Sequence, residues 1–328
     1  MYKVVVGLVS KNWGNLLEQL RAKLPEVGVD VVERDQLIRH PELKVLIPGV
    51  EPVNRDLLEG LREVRLIHQA GVGVDSVDVE AATELGVWVA NVPSYGSGNA
   101  ESVAEIALWH MLTLSRRIRQ ARERFLSGDW GNPLGVSLRN RTVGIYGVGG
   151  IGKALAERLV PFGVRLIGIK RSPDPSLSGL FDWLAGPEER DRLLQESDFV
   201  VVTASANSPS EVIPFTVRDF LLMKPSAYFI NVSRGIWVDE EALLAALDMG
   251  AIAGAGLDVV REEPPPIPSA WTAGGRNLLI TPHIGGCTDQ SYDGITDVIQ
   301  RNVRRVLRGD PPLTALNHPT RVTGRERR

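Results

Sequence analysis

The stretch TVGIYGVGGIGKALAERL sets Gly147, Gly149 and Gly152 as G-x-G-x-x-G between a β-type apolar run and a helical pattern. That spacing suits phosphate chemistry. The first glycine allows a tight turn, the second lets the backbone approach a pyrophosphate, and the third lets helix and strand pack closely, with the phosphate at the helix N-terminus. A dinucleotide site of this kind usually places an acid about 20 residues on, at the end of the next strand, to bind the adenosine ribose hydroxyls. In VRLIGIKRSPD the corresponding place holds Lys170, followed by Arg171 and Ser172. An ammonium, a guanidinium and a hydroxyl suit a phosphate ester better than two hydroxyls, and no carboxylate is expected there to repel the anion. The cluster points to the 2′-phosphate of NADP(H), with NAD(H) as the alternative cofactor. A solvated basic turn is the plainer reading.

Three further polar residues close apolar runs: Arg234 in INVSRGIWVDEEALLAAL, Glu263 in AGLDVVREEPP and His283 in LLITPHIGG. Open α/β sheets bind ligands at the carboxyl ends of their strands, so all three stand where a ligand belongs. Singly, each reads as readily as a surface cation, a solvated acid and a core histidine.

The elements that must position these residues alternate along the chain. KVVVGL, KVLIPG, VRLIHQAG and VWVANVP read as strands, with WGNLLEQLRAKL and VNRDLLEGLREV as helices between them. RTVGIYGVGG, VRLIGIK, SDFVVVTA, SAYFINVS, AGAGLDVV and NLLITPHIGG form a second series. Such alternation implies right-handed βαβ units, and the expected class is α/β with two doubly wound parallel sheets. NAESVAEIALWHMLTLSRRIRQARERF, residues 99–125, has helical apolar spacing throughout and is expected to bridge the two series as one helix; QSYDGITDVIQRNVRRVLRG is expected to return the chain. The domains are therefore expected to be discontinuous, 1–98 with 288–328 and 99–287, with a cleft where the helices cross. The tail RVTGRERR lacks apolar periodicity and is expected to fray.

At 328 residues, 43% apolar and 23% charged, the chain has the balance of a globular protein of two domains. A net charge of −3 gives no global attraction for nucleic acid or anionic lipid. The single cysteine, Cys287, can form neither an internal disulfide nor a cysteine zinc site; it fits a reducing, cytoplasmic setting and is read as a small packing residue. The opening MYKVVVGLVSKNW reaches Lys11 too soon for a membrane span and shows no cleavage pattern. No metal site, nucleic-acid partner or membrane is expected.

Taken in order, GVGVDSVDVEAATELGVWVANVPS, NAESVAE, GVGGIG, NVSRG, LDVVREEP and TPHIGG resemble the D-isomer-specific 2-hydroxyacid dehydrogenases, a family that includes glyoxylate/hydroxypyruvate reductases and glycerate and phosphoglycerate dehydrogenases. The resemblance implies a Rossmann coenzyme domain inserted into a flavodoxin-like substrate domain. It implies hydride transfer between a nicotinamide cofactor and a small 2-oxo acid or D-2-hydroxy acid, with glyoxylate or hydroxypyruvate as examples. By similarity, Arg234 clamps the substrate carboxylate, His283 exchanges the proton and Glu263 orients the imidazole. The backbone of Val72, Gly73 and Val74 would hold the carboxylate as well, and Asn99 stands where one branch has a substrate-side asparagine, although a helix N-cap explains it equally. Towards the cofactor the similarity carries over Gly150, Ile151, Ala204, Val232, Asp258 and Gly285.

The match departs at VVTASANSPSEV, where Ala204-Ser205-Ala206 replaces the Cys/Thr-Pro-Leu of many relatives. Relatives are commonly dimers, so a homodimer is expected. The alternatives are a phosphoglycerate dehydrogenase-like enzyme, for which the run after ALNHPT leaves no room for a regulatory domain, and a non-catalytic nucleotide-sensing corepressor of the same fold. A formate dehydrogenase is disfavoured, because that branch has glutamine at the place of Glu263.

Overall fold

A computed structural model describes residues 4–9, 15–172, 174–177, 179–205, 212–265, 271 and 275–319. It divides into two compact units, Met1–Asn99 with Cys287–Arg328, and Ala100–Gly286. The basic tail 321–328 and Ala206 lie outside the described residues.

The first unit carries β1 (Val6–Leu8), β2 (Val29–Val31), β3 (Val45–Ile47), β4 (Leu66–His68) and β5 (Trp88–Ala90), all parallel, in the order β2-β1-β3-β4-β5. This is the flavodoxin-like order. Successive side chains point to opposite faces of a strand. On one face Val45, Ile47 and Leu66 join Leu16 and Leu20 of the helix Leu16–Lys23 and Ile295, Ile299 and Val303 of the helix Asp289–Arg308. Leu46 and Ile67 meet Leu58, Ala81 and Ala82 on the other. Two-sided burial is why these strands read as unbroken apolar runs. The edge strand β2 escapes that pattern because its central Asp30 is exposed and ion-paired with Arg21 at 2.8 Å. The opposite edge is covered: Ala315 bridges Ala90, and Asn317 Oδ1 accepts from the Val89 N–H at 2.7 Å.

The second unit holds seven parallel strands, β6 (Thr142–Tyr146), β7 (Arg165–Ile169), β8 (Trp183–Ala185), β9 (Phe199–Val202), β10 (Tyr228–Asn231), β11 (Gly254–Leu257) and β12 (Leu278–Ile280). Their order, β12-β11-β10-β9-β6-β7-β8, is that of a Rossmann sheet extended by one strand. The chain reverses direction across the sheet between β6 and β9, the switch point at which such folds bind ligands. Strand β8 is another short edge missed by pattern: its three residues are only half-buried.

The expected single helix over 99–125 is corrected to two, Asn99–Ser115 and Ile118–Leu126. Arg117 between them takes φ 50°, a left-handed conformation that ends the first helix. Apolar spacing continues across the break, so periodicity alone does not reveal it. The Asp289–Arg308 helix runs unbroken, with Thr288 accepting from the Ser291 N–H at its start and Gly309 at φ 91° at its end.

Candidate active site

The glycine turn joins β6 to the helix Gly150–Leu159 at the switch point. Gly147 has φ 100°, and a Cβ there would lie 2.3 Å from Ala204 Cα. Its carbonyl accepts from Thr203 Oγ1 at 2.7 Å, and both groups crowd Gly152, where a Cβ would come within 2.9 Å of each. Only glycine fits either place. At Gly149, by contrast, no described atom lies within 4 Å of an added Cβ, so the start of the Gly150–Leu159 helix, which includes Ile151, has open space for a phosphate. These residues fit a dinucleotide pyrophosphate.

Beyond β7, Lys170, Arg171 and Ser172 line one side of a recess of about 620 Å³ whose other lining residues include Asp174, Trp183 and Glu188. Arg171 and Ser172 are exposed. Lys170 Nζ donates to the Val148 carbonyl at 2.9 Å, which ties the basic cluster to the glycine turn. The expected absence of a carboxylate here is corrected: Asp174 Oδ2 stands 3.8 Å from Lys170 Nζ. Its Oδ1 accepts from the Ser176 hydroxyl at 2.7 Å and the Ser176 N–H at 3.1 Å, a turn that folds the acid back towards the strand end. The Ser176 hydroxyl, partly opposed by burial and then aided by the Ser176 N–H, Lys170 and Lys153, holds Asp174 below the usual carboxylate range.

The three strand-end residues come from neighbouring loops after β10, β11 and β12. His283 Nδ1 and Glu263 Oε2 are 2.6 Å apart. An ionised carboxylate can only accept, so Nδ1 carries the proton and Nε2 is left for other chemistry. The other Glu263 oxygen accepts from the Val260 N–H at 3.0 Å. Burial raises the Glu263 pKa, but the hydrogen bond and charge of His283, the Val260 N–H and the Arg234 guanidinium outweigh it, so the net shift is downward. Arg234 therefore lies within electrostatic reach of the pair.

Arg234 is half-buried, and its Nη1 donates to the Ser233 carbonyl at 2.8 Å. Its loop is shaped by the fully buried Asn231, whose Nδ2 donates to the Arg234 carbonyl at 2.8 Å while its Oδ1 accepts from the Ser233 N–H and hydroxyl. Val232, inside this loop, is buried. Gly235 packs so tightly on the next loop that an added Cβ would fall 2.0 Å from Val260 C.

Asp258 holds the third loop. Oδ1 accepts from Thr281 Oγ1 at 2.5 Å and the Ile284 N–H at 3.0 Å, and Oδ2 accepts from the Gly285 N–H at 2.8 Å. Burial pushes this carboxyl up, against those bonds and the charge of His283. Between its anchors His283 is held at φ 53°, with its N–H donating to the Asp258 carbonyl at 2.8 Å. Behind Thr281 stands the fully buried His110, Nε2 at 3.1 Å from Thr281 Oγ1, and burial pushes its pKa down to about 4. Asn231, Thr281 and His110 were missed from sequence; their one signal is a polar residue inside an apolar strand or helix face.

In the first unit the Val72–Val74 segment follows β4 and is half-buried. Asn91 Nδ2 donates to the Val72 carbonyl at 2.7 Å, and the Val77 N–H to the Val74 carbonyl at 2.9 Å, with Gly73 between them. Asn99 is the first residue of its helix, and its Oδ1 accepts from Ser291 Oγ at 3.3 Å. Cys287, expected as a packing residue, is instead exposed and accepts from the Tyr292 hydroxyl at 3.3 Å.

Known proteins resemble this chain over most of its length. Residues 108–285 match the family model described as "D-isomer specific 2-hydroxyacid dehydrogenase, NAD binding domain". The chain is 32% identical to a glyoxylate reductase of Thermococcus litoralis over 90% of its own length and 95% of the relative's. It is also 32% identical to a D-3-phosphoglycerate dehydrogenase of Methanocaldococcus jannaschii over 93% of its own length and 57% of the relative's. A crystal structure of an NADPH-dependent glyoxylate/hydroxypyruvate reductase from Sinorhizobium meliloti, in complex with NADP and malonate, superposes with a TM-score of 0.81 at 27% identity, covering 98% of this chain and 99% of that one.

The sheet order and glycine turn define a dinucleotide-binding α/β protein. The chain belongs to the D-isomer-specific 2-hydroxyacid dehydrogenase family, whose members act on CH–OH groups with a nicotinamide cofactor. Among the described residues, no helix is long and apolar enough to cross a membrane.

Proposed function

We propose that this protein is an NADPH-preferring reductase of small 2-oxo acids, with glyoxylate and hydroxypyruvate as the best candidates. The observation that carries the reading is the 2.6 Å pair of His283 and Glu263 with the Arg234 charge beside it. A reduced nicotinamide held at the glycine turn would supply the hydride that C2 of the substrate needs. The Arg234 guanidinium binds the carboxylate and the adjacent carbonyl oxygen, where negative charge grows. His283 donates its Nε2 proton to that oxygen, and the Glu263 carboxylate stabilises the imidazolium beforehand. The backbone of Val72, Gly73 and Val74 supplies further donors for the carboxylate, and Asn99 a polar substrate contact.

Preference for NADPH rests on Lys170, Arg171 and Ser172 beside the recess, and the NADP-bound S. meliloti relative agrees in direction. Gly147, Gly149, Gly150, Ile151 and Gly152 hold the pyrophosphate, while Ala204, Val232, Asp258 and Gly285 line the rest of the cofactor site. A homodimer fits the exposed Phe125, Leu126, Trp130 and Leu134, of which the Phe125 and Trp130 rings lie with centroids 5.7 Å apart. A cytoplasmic setting fits the single exposed thiol.

The test is initial-rate oxidation of NADPH and NADH with glyoxylate, hydroxypyruvate and other small 2-oxo acids, with 3-phosphoglycerate and NAD⁺ as the opposing arm. The expected result is a higher kcat/KM for glyoxylate or hydroxypyruvate with NADPH. A clear preference for NADH would remove the cofactor proposal. Turnover confined to 3-phosphoglycerate would replace the substrate, and no turnover with any member would favour a sensor.

A further inference from the structure

The turn at Ala204, where the chain departs from the pattern of its relatives, is held by an unusual partner. Trp237 is 5% exposed, and its indole Nε1 donates to the Ala204 carbonyl at 2.9 Å. Trp237 ends the short 3₁₀ turn Gly235–Trp237, which begins immediately after Arg234. Ala204 in turn is the residue against which Gly147 packs, with the Cβ position of that glycine 2.3 Å from Ala204 Cα. One hydrogen bond thus joins the loop bearing the guanidinium to the turn after β9, which packs against Gly147 of the phosphate turn.

The surroundings keep the indole in place. The Tyr146 ring meets the Trp237 ring edge-on with centroids 5.5 Å apart, and Phe215 meets Tyr146 at 5.2 Å. The Phe215 N–H donates to the Trp237 carbonyl at 2.8 Å, and the Asp239 N–H to the Phe215 carbonyl at 3.0 Å. Arg190 lies 4.0 Å over the Phe215 ring and pairs with Asp219 at 3.2 Å. A rigid aromatic cluster therefore aims a single N–H at a backbone carbonyl beside the glycine turn. A buried carbonyl that loses its donor retains its desolvation cost, and the backbone must then shift to recover a partner.

We infer that Trp237 is a positioning residue for the cofactor turn: its indole N–H fixes the Ala204 carbonyl, and through Ala204 the Gly147 backbone, in the place the dinucleotide needs. The inference rests on the proposed cofactor site but concerns a buried residue outside the site residues proposed above. Trp237→Phe keeps an aromatic ring and deletes the donor. The loss of one buried hydrogen bond predicts about fivefold weaker NADPH binding, read as a Kd by nucleotide fluorescence. The KM for the 2-oxo acid should change little, and the melting temperature should fall by a few degrees because the buried carbonyl loses its donor.

Phe215→Leu is the control, since it loosens the same cluster and leaves the indole donor intact; it should lower the melting temperature and leave the NADPH Kd within about twofold. Trp237→His, which returns a ring N–H, provides a second variant should the phenylalanine form fold poorly, and it should bind NADPH more tightly than Trp237→Leu. Unchanged binding in Trp237→Phe would overturn the inference. Equal weakening in Trp237→Phe and Phe215→Leu would also overturn it, by reducing Trp237 to packing. If the unmodified protein binds neither NADPH nor NADH, the cofactor reading itself fails, a result separate from any difference among variants.

Discussion

Two parts of the second unit meet the cofactor's chemistry in opposite ways. Around Arg234, Glu263 and His283, nearly every polar group is spoken for. Asn231 shapes one loop and Asp258 another, Val260 anchors the acid, and Gly235 leaves no room for a methyl group. At the end of β7, Arg171 and Ser172 are exposed, and the ammonium of Lys170 is shared between a carbonyl and Asp174. Proton transfer needs atoms held to a fraction of an ångström, and a network of buried hydrogen bonds supplies that. Selecting a phosphate ester over a hydroxyl needs mainly local charge, which exposed side chains supply at low structural cost. The first region should therefore be brittle to substitution and the second tunable.

Outside the three reacting groups, the largest effect should come from Gly235→Ala. A Cβ 2.0 Å from Val260 C forces the Arg234 loop away from the Glu263 turn. Turnover should fall by at least about 10²-fold, since misplacement by about 1 Å has that scale of effect. Near-normal kcat would show that the two loops need no contact.

Lys170→Ala should act on the other side of the comparison. The KM for NADPH should rise about tenfold, the cost of one charge-assisted hydrogen bond, while the KM for NADH moves little. Asp174→Asn should do the reverse, tightening NADPH by about two- to threefold because a like charge leaves the recess edge. Equal shifts for both cofactors would show that the cluster is only a solvated turn. Raising the ionic strength should weaken NADPH binding and leave kcat unchanged.

The smallest effect separates the regions by pH. Acid sensitivity belongs to the first region, where a buried imidazole lies behind the Thr281 strand end. His110, behind Thr281, is pushed down to about 4, as is His68 in the first unit, in both cases by burial. The unfolded chain binds protons at about pH 6.5, so each neutral imidazole contributes stability that is present above that pH and lost as pH falls towards 4. Melting temperature should decline over that window, and less steeply in His110→Gln. Glu263, with its lowered pKa, keeps its contribution until the pH drops below about 4.3, the ordinary carboxylate value. A flat melting profile from pH 7 to pH 5 would contradict this account of the buried imidazoles.

Much of this was legible in the sequence because two-sided burial writes a strand as an apolar run and a phosphate turn writes itself in glycine. Arg234, Glu263 and His283 could be singled out because each follows such a run. What escaped depends on tertiary context. Strands β2 and β8 are edges, with Asp30 exposed in one and half-buried residues in the other. The break at Arg117 costs one residue in a left-handed conformation and leaves the apolar spacing intact. Asp174 lies five residues past the end of β7, and only the turn with Ser176 brings it to Lys170. Thr281 and His110 act through partners far along the chain, which no local pattern places beside them, and Asn231, although its partners Ser233 and Arg234 are close in sequence, ends an apolar strand that marks it only by its polarity.

The central claim is that a guanidinium and a carboxylate-backed imidazole drive reduction of a 2-oxo acid. The most direct measurement is the kcat of Arg234→Ala for glyoxylate reduction, alongside its NADPH Kd. The account predicts that kcat falls by about 10²- to 10³-fold, the scale of losing one donor to a developing oxyanion, while NADPH binding is retained. Turnover close to that of the unmodified protein would contradict it.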